Sequence, residues 1–228
     1  MVAKKEVKLS NQLNILRAGV LGANDGIVSV AGVVIGVAAA GSSNRLIFIA
    51  GLAAVLAGAF SMSGGEYVSV STQSDTEKAA IEQQKKRLSE HFDEEKADVV
   101  KYYRATGISE ELSWKIADEV MEKRPLEITV DQKFNLEVGE YTNPWHAAIS
   151  SFCSFVIGSL LPLLAIVLIP SPHKIMGTVL AVTIALFITG YTSAKLGGAP
   201  RRPAVIRNVF VCLLTMAVTY AIGYLLHV

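Results

Sequence analysis

Cysteine is scarce in this chain: Cys153 and Cys212 are the two among 228 residues, and each lies inside an apolar run. Thiols so placed do not make a disulfide framework and leave the redox compartment open; both are expected to face the core. Acids are equally scarce over most of the length, because 17 of the 20 Asp and Glu lie between Asp75 and Glu140 and only Glu6, Asp25 and Glu66 lie outside. No HExxH, GxSxG or P-loop pattern occurs, so the motifs that would argue for an enzyme are missing. His91, His146, His173 and His227 are scattered and read as loop or interfacial residues rather than a metal cluster. A cleavable signal peptide is not expected either, since the first apolar run is too long and no small-residue cleavage pattern follows it.

What is present divides the chain. Hydrophobic residues make up 51% and mean hydropathy is +0.42, yet 18% of residues are charged. Residues 71–143 carry 11 Lys and Arg against the 17 acids, a net charge of about −6, whereas the remainder carries 10 basic residues against three acids. An acidic segment within a basic, apolar chain speaks against nucleic acid as a partner and fits a surface that handles cations.

The apolar part reads as five membrane spans. Residues 17–40, RAGVLGANDGIVSVAGVVIGVAAA, are long enough to cross a bilayer, which takes about 20 apolar residues as a helix. The turn formers 41–45 separate this span from a second apolar run, 46–70, and residues 147–169, 175–194 and 205–226 supply the other three. Pro162 is expected to kink the third span, Trp145 and His146 to mark its interface, and Pro170 and Pro172 to end it. Lys4, Lys5, Lys8 and Arg17 beside the first span favour a cytoplasmic N-terminus. Five spans then put both the acidic segment and the basic loop of Lys195, Arg201, Arg202 and Arg207 on the cytoplasmic side. The fold expected is all-α, a polytopic membrane protein of five transmembrane helices with a cytoplasmic helical insert between spans two and three. Its divisions are 1–70, 71–143 and 144–228.

Two carboxylates fall within or beside these spans. A charge near the middle of a membrane helix costs at least ~2.5 kcal/mol, so it is retained for function and turned away from lipid. Asp25 is such a residue, next to Asn24 and flanked by Gly22 and Gly26, whose spacing permits close helix approach; Gly32 and Gly36 repeat that spacing. Met62 and Glu66 are four apart on one face of the second span, near Gly58, Gly64 and Gly65. The two glycine-thinned helices are expected to pack together and to gather Asp25, Met62 and Glu66. Two carboxylates and a thioether suit a borderline divalent transition metal, although a methionine on an apolar helix is also an ordinary packing residue.

The insert reads as three or four helices. Ile81, Leu88, Phe92, Val99 and Tyr103 form an apolar stripe at helical period. The second span is expected to run straight into it, with a break at 89–93 capped by Ser89 or Asp93. A helix to Ala105 follows, then one from the Ser109 cap to Lys123, and a short one over 128–138.

GANDGIVS in the first span, AGAFSMSGGEYVSVS at the end of the second and the charged helical insert before NPWHAAISSF together resemble the vacuolar iron transporter family, over nearly the whole chain. The resemblance implies a five-span, dimeric exporter that moves Fe²⁺, and often Mn²⁺, out of the cytosol in exchange for protons, with a cytoplasmic helical domain that gathers metal. By match to the family's motifs, Asp25 is its transport-path aspartate and Met62 its transport-path methionine, with Asn24 alongside; Glu66, in GGEY, is similar to the bacterial-type branch. In the insert the family's metal-binding glutamates fall on Gln84, Arg87, Glu95, Asp98 and Asn135, and its methionine pair on Asp131 and Gln132. Glu95 and Asp98 alone keep an acid at those glutamate positions, so only weak binding is expected there. Glu77, Glu82, Glu90, His91 and Glu94 are local alternatives, each also readable as a solvated helix face.

The chemistry expected is exchange rather than catalysis, with no organic cofactor. Burial favours a protonated carboxylic acid and a bound divalent cation favours the carboxylate, so metal entering at Asp25 and Glu66 would expel protons and protons would expel metal. Met62 would favour Fe²⁺ or Mn²⁺ over Mg²⁺, which keeps its waters and prefers oxygen. A membrane-anchored metal sensor or interaction protein is the alternative, but an anchor does not need intramembrane carboxylates. Five spans supply few helices for a path, which suits a homodimer. The short termini suit the plasma membrane of a prokaryote.

Overall fold

The computed structural model describes residues 2–139 and 141–226, with side chains from Asn14 onward. The side chains of Lys4, Lys5, Lys8 and Glu6, and all of Glu140 and His227, lie outside the described residues. Among the described residues there are eight helices: α1 Val2–Ala39, α2 Asn44–Glu90, α3 Phe92–Ala105, α4 Glu110–Lys123, α5 Pro125–Phe134, α6 Pro144–Leu168, α7 Lys174–Leu196 and α8 Arg201–Leu225. Among the described residues there is no strand. Five helical segments among the described residues are long and apolar enough to cross a membrane: Asn14–Ala39 of α1, and α2, α6, α7 and α8. The chain packs as two compact units, one of residues 10–68 and 144–228, the other of residues 1–9 and 69–143.

In the apolar unit α1 is the central element. Its residues Val30, Val34 and Ala38 pack with Ile47, Val55 and Ala59 of α2 and with Phe155, Leu163 and Ile166 of α6. Ile27, Ala31 and Ile35, on another side of the same helix, pack with Val182 and Leu186 of α7 and Cys212 and Met216 of α8. The glycines follow this division. A Cβ on Gly22 or Gly26 would run into the α6 backbone at Ser151 or Phe155, and one on Gly36 would press on the Thr219 carbonyl of α8. Ten residues are about 2.8 turns, so Gly26 and Gly36 cannot serve the same neighbour. The close approach expected between the first two spans is therefore made by spans one and three. A methyl group added at Gly64 or Gly65 would meet nothing within 4 Å, so these two glycines thin no contact inside the protomer.

Large apolar side chains on the outer faces, such as Phe60, Ile157, Leu180 and Phe210, are exposed. That is the arrangement of a bundle whose surrounding medium is hydrocarbon. Cys153 belongs to that outer surface: it is exposed, contrary to expectation, while Cys212 is buried. An apolar run identifies a span but not which of its faces meets other helices.

In the second unit, Val99 and Val100 of α3 and Ala117 and Met121 of α4 form the core, joined by Leu88 of α2 and Ile128 of α5. α2 is continuous to Glu90, as expected. The break falls at His91, and neither Ser89 nor Asp93 caps α3; the Ser89 hydroxyl instead donates to the Lys86 carbonyl at 2.7 Å. The last helix of the insert starts three residues earlier than expected because Pro125 takes its first turn, where the missing N–H costs nothing. It ends at Phe134, short of the expected 138, because Asn135 turns into the left-handed region at φ 53°.

Candidate functional site

Asp25 and Ser29 of α1, Gly58, Ser61 and Met62 of α2, and Phe155 of α6 line a cavity of about 270 Å³. Gly58 makes room for it, since a side chain there would collide with the Phe155 ring. The Ser29 hydroxyl donates to the Asp25 main-chain carbonyl at 2.6 Å, the usual partner for serine within a helix. The Asp25 carboxylate is left exposed on the protomer surface beside the Met62 thioether. A carboxylate, a thioether and two hydroxyl oxygens thus line one small opening whose other walls, Val33, Ala54 and Phe155, are apolar.

Glu66 and Asn24 stand elsewhere. Glu66, one turn beyond Met62, is 8% exposed and accepts a charged hydrogen bond from Arg17 Nη2 at 3.2 Å. A carboxylate this buried needs a compensating charge, and in this protomer α1 supplies it. Asn24 is one residue from Asp25 and so about 100° away around α1; it faces a second cavity, of about 670 Å³, with Arg17 and Asn14 of α1, Ser193 of α7 and Arg207 and Asn208 of α8. Its Oδ1 is buried without a hydrogen-bond partner. Of the four residues expected on the path, the structure places Asp25 with Met62, Glu66 with Arg17, and Asn24 in the neighbouring cavity.

The insert concentrates its buried charge at Glu95. This side chain has no solvent exposure and accepts hydrogen bonds from Lys133 at 2.5 Å, Arg87 at 2.9 Å and Gln84. Burial works to raise its pKa, but the bonds from Lys133, Gln84 and Arg87 outweigh it and hold the carboxyl below its ordinary value. Asp98 is likewise lowered, its partial desolvation being outweighed by Lys101 and Lys133, at 3.3 and 3.4 Å. Glu94 pairs with His91 at 3.6 Å and is exposed, and Glu77 accepts from Gln73 at 2.8 Å. Among the described residues no group of three or more His, Cys, Asp or Glu is placed to hold a metal ion.

Arg17 and Lys133 are the residues whose importance is invisible locally. Arg17 is 49 positions from Glu66, and Lys133 is 38 from Glu95. In sequence the first reads as part of a basic cluster beside a span and the second as one charge among many. Only their pairing with buried acids, in segments that the helix packing brings together, distinguishes them.

Comparison with known proteins agrees with the motifs. The chain is 34% identical to a vacuolar iron transporter of Acanthamoeba castellanii, over 92% of this chain and 78% of that protein. It is 35% identical to vacuolar iron transporter homolog 2.1 of Arabidopsis thaliana, over 96% of this chain and 84% of that protein. With vacuolar iron transporter homolog 1 of Oryza sativa subsp. japonica it shares 36% identity, over 91% of this chain and 72% of the relative. The family model described as the VIT family matches residues 16–224, from Leu16 in α1 to the last turn of α8. The chain therefore belongs to the VIT family.

Proposed function

We propose that this protein exports a divalent transition metal, Fe²⁺ and/or Mn²⁺, from the cytosol across a membrane in exchange for protons. The observation that carries this reading is the cavity that Asp25 and Met62 line together from two helices within the apolar unit. The family relationship supports iron as cargo, since relatives are named vacuolar iron transporters. Asp25 supplies a hard charge that can titrate, and Met62 a soft donor that favours Fe²⁺ or Mn²⁺ over Mg²⁺. Protons and metal compete for the same carboxylate, and alternating occupancy couples their flows. Glu66, one turn along α2, receives the cation next, with Asn24 on the flank of the path. Residues 71–143 form the cytoplasmic domain, between a division 1–70 holding spans one and two and a division 144–228 holding spans three to five.

One protomer contributes one carboxylate and one thioether and leaves Asp25 open. Transition metals of this kind take four to six donors, so two copies meeting at α1 and α2 supply the missing half as a homodimer. In the insert, Glu95 and Asp98 bind metal weakly at most, because Lys133, Arg87 and Lys101 already neutralise them. The protein is integral and multi-pass, with its N-terminus cytoplasmic. The relatives described above are eukaryotic and named for the vacuole, and they lend no support to a prokaryotic plasma membrane.

The test is transport into proteoliposomes with a panel of divalent ions and an imposed pH gradient. Fe²⁺ or Mn²⁺ flux that follows the gradient is expected. Absence of flux for every ion, in protein that is monodisperse and still binds metal, would favour a membrane-anchored sensor.

A further inference from the structure

Glu66 is held by a cation that belongs to the protein, and that cation has somewhere to go. Arg17 reaches Glu66 at 3.2 Å, yet its own side chain is 55% exposed and lines the 670 Å³ cavity between α1, α7 and α8. Asn24 lines the same cavity, and its Oδ1 is a buried acceptor with no donor. Asn24 lies seven residues beyond Arg17, two turns along α1 or about 10.5 Å of rise, within reach of an extended arginine and an asparagine. A guanidinium carries five donors and always keeps its charge, so it can satisfy an amide oxygen as well as a carboxylate. Arg207 of α8 lines the same cavity.

We propose that Arg17 is a tethered competitor of the transported metal: it occupies Glu66 in the empty protein and is displaced by an arriving divalent cation into the α1/α7/α8 cavity, where Asn24 Oδ1 receives it. This rests on the transport reading given above. It accounts for how a buried carboxylate stays compensated when no metal is present, and for why a buried amide oxygen beside a roomy cavity lacks a partner. It also makes Arg17 a setter of affinity, because every metal ion bound at Glu66 must break one ion pair.

The experiment is Mn²⁺ binding to the purified full-length protein in detergent, followed by loss of the free-ion electron paramagnetic resonance signal. Arg17→Gln should bind Mn²⁺ more tightly, by about tenfold, between what removing an exposed and a buried ion pair would give. Arg17→Lys, which keeps the charge, should stay within about threefold of the parent. In a Glu66→Gln background the gain from Arg17→Gln should vanish, an outcome that a purely structural role for Arg17 would not give. Asn24→Leu, which removes the landing acceptor without touching Glu66, should weaken binding severalfold and serves where Arg17→Gln fails to fold. Unchanged or weaker Mn²⁺ binding in folded Arg17→Gln, or unchanged binding in Asn24→Leu where it is the only folded variant, overturns the proposal. Asp25→Asn separates the two readings: if it loses binding while Arg17→Gln is unchanged, only the competitor falls, and if it binds as the parent does, the site itself is misplaced.

Discussion

Lys133 Nζ of α5 lies 2.5 Å from the carboxylate of Glu95 on α3, a side chain that has no contact with solvent. Arg87 of α2 holds the other oxygen at 2.9 Å, so three helices of the insert meet on one anion. Breaking a buried pair typically costs about 3–5 kcal/mol. With Arg87 still compensating the carboxylate, Lys133→Met should destabilise the insert by roughly 2 kcal/mol, less than that range. Hydrogen exchange on the full-length protein should show faster exchange of the α3 and α5 amides and little change in α6 to α8.

The same carboxylate makes the insert sensitive to acid. Glu95 is held below its ordinary pKa in the folded protein, so protons bind the unfolded chain more readily than the folded one. The stabilisation is complete above the unfolded value, about 4.3, and is lost as pH falls through the folded one. Protection of the α3 amides should therefore be level from neutral pH to about pH 5 and decline below about 4.3. In Glu95→Gln that contribution to the decline should be missing.

Asp25→Asn keeps the side-chain volume and removes both the charge and the titratable proton. Metal flux and its response to a pH gradient should disappear together. Met62→Ala should be milder, relaxing the choice among divalent ions while proton coupling persists, because the thioether carries no proton. Initial rates in proteoliposomes, with monodispersity as the check on folding, would decide; near-normal coupled flux in Asp25→Asn would remove the centre of the proposed function.

The glycines separate into two classes with opposite predictions. Gly26→Ala would drive a methyl into the Phe155 carbonyl and within 2.8 Å of Ser159 Oγ, and overpacking of this kind costs about 1–3 kcal/mol. Gly65→Ala meets nothing within 4 Å and should gain up to ~1 kcal/mol of helix propensity. Thermal unfolding in detergent should lower the midpoint for the first and leave or raise it for the second.

Single cysteines placed at Ser43, in the turn between α1 and α2, and at Glu94 in the exposed first turn of α3 should be labelled from opposite sides of the membrane. Labelling of both from one side would contradict the five-span topology.

The spans were legible in the sequence because their cause is local. Hydrocarbon demands about 20 consecutive apolar residues with every backbone group satisfied inside the helix, and residues 17–40 declare this without reference to any other segment. The isolation of Asp25 and Glu66 was legible for the same reason: a lone acid in a long apolar run can be seen in one dimension, and so can the break at 106–109. Tertiary structure decided the partners. Gly22 and Gly26 pack on α6 and Gly36 on α8, because α1 sits at the centre of the bundle and presents a different face every few residues. Asp25 and Asn24 are neighbours in the chain yet line separate cavities. Which cation compensates Glu66 or Glu95 depends on side chains 49 and 38 positions away, and a separation of that size leaves no periodic trace in sequence. Burial and charge pairing are properties of a three-dimensional neighbourhood, so the chain alone marked Asp25 and Glu66 as acids in apolar runs, whereas the packing of the helices buried Glu95 and chose Arg17 and Lys133.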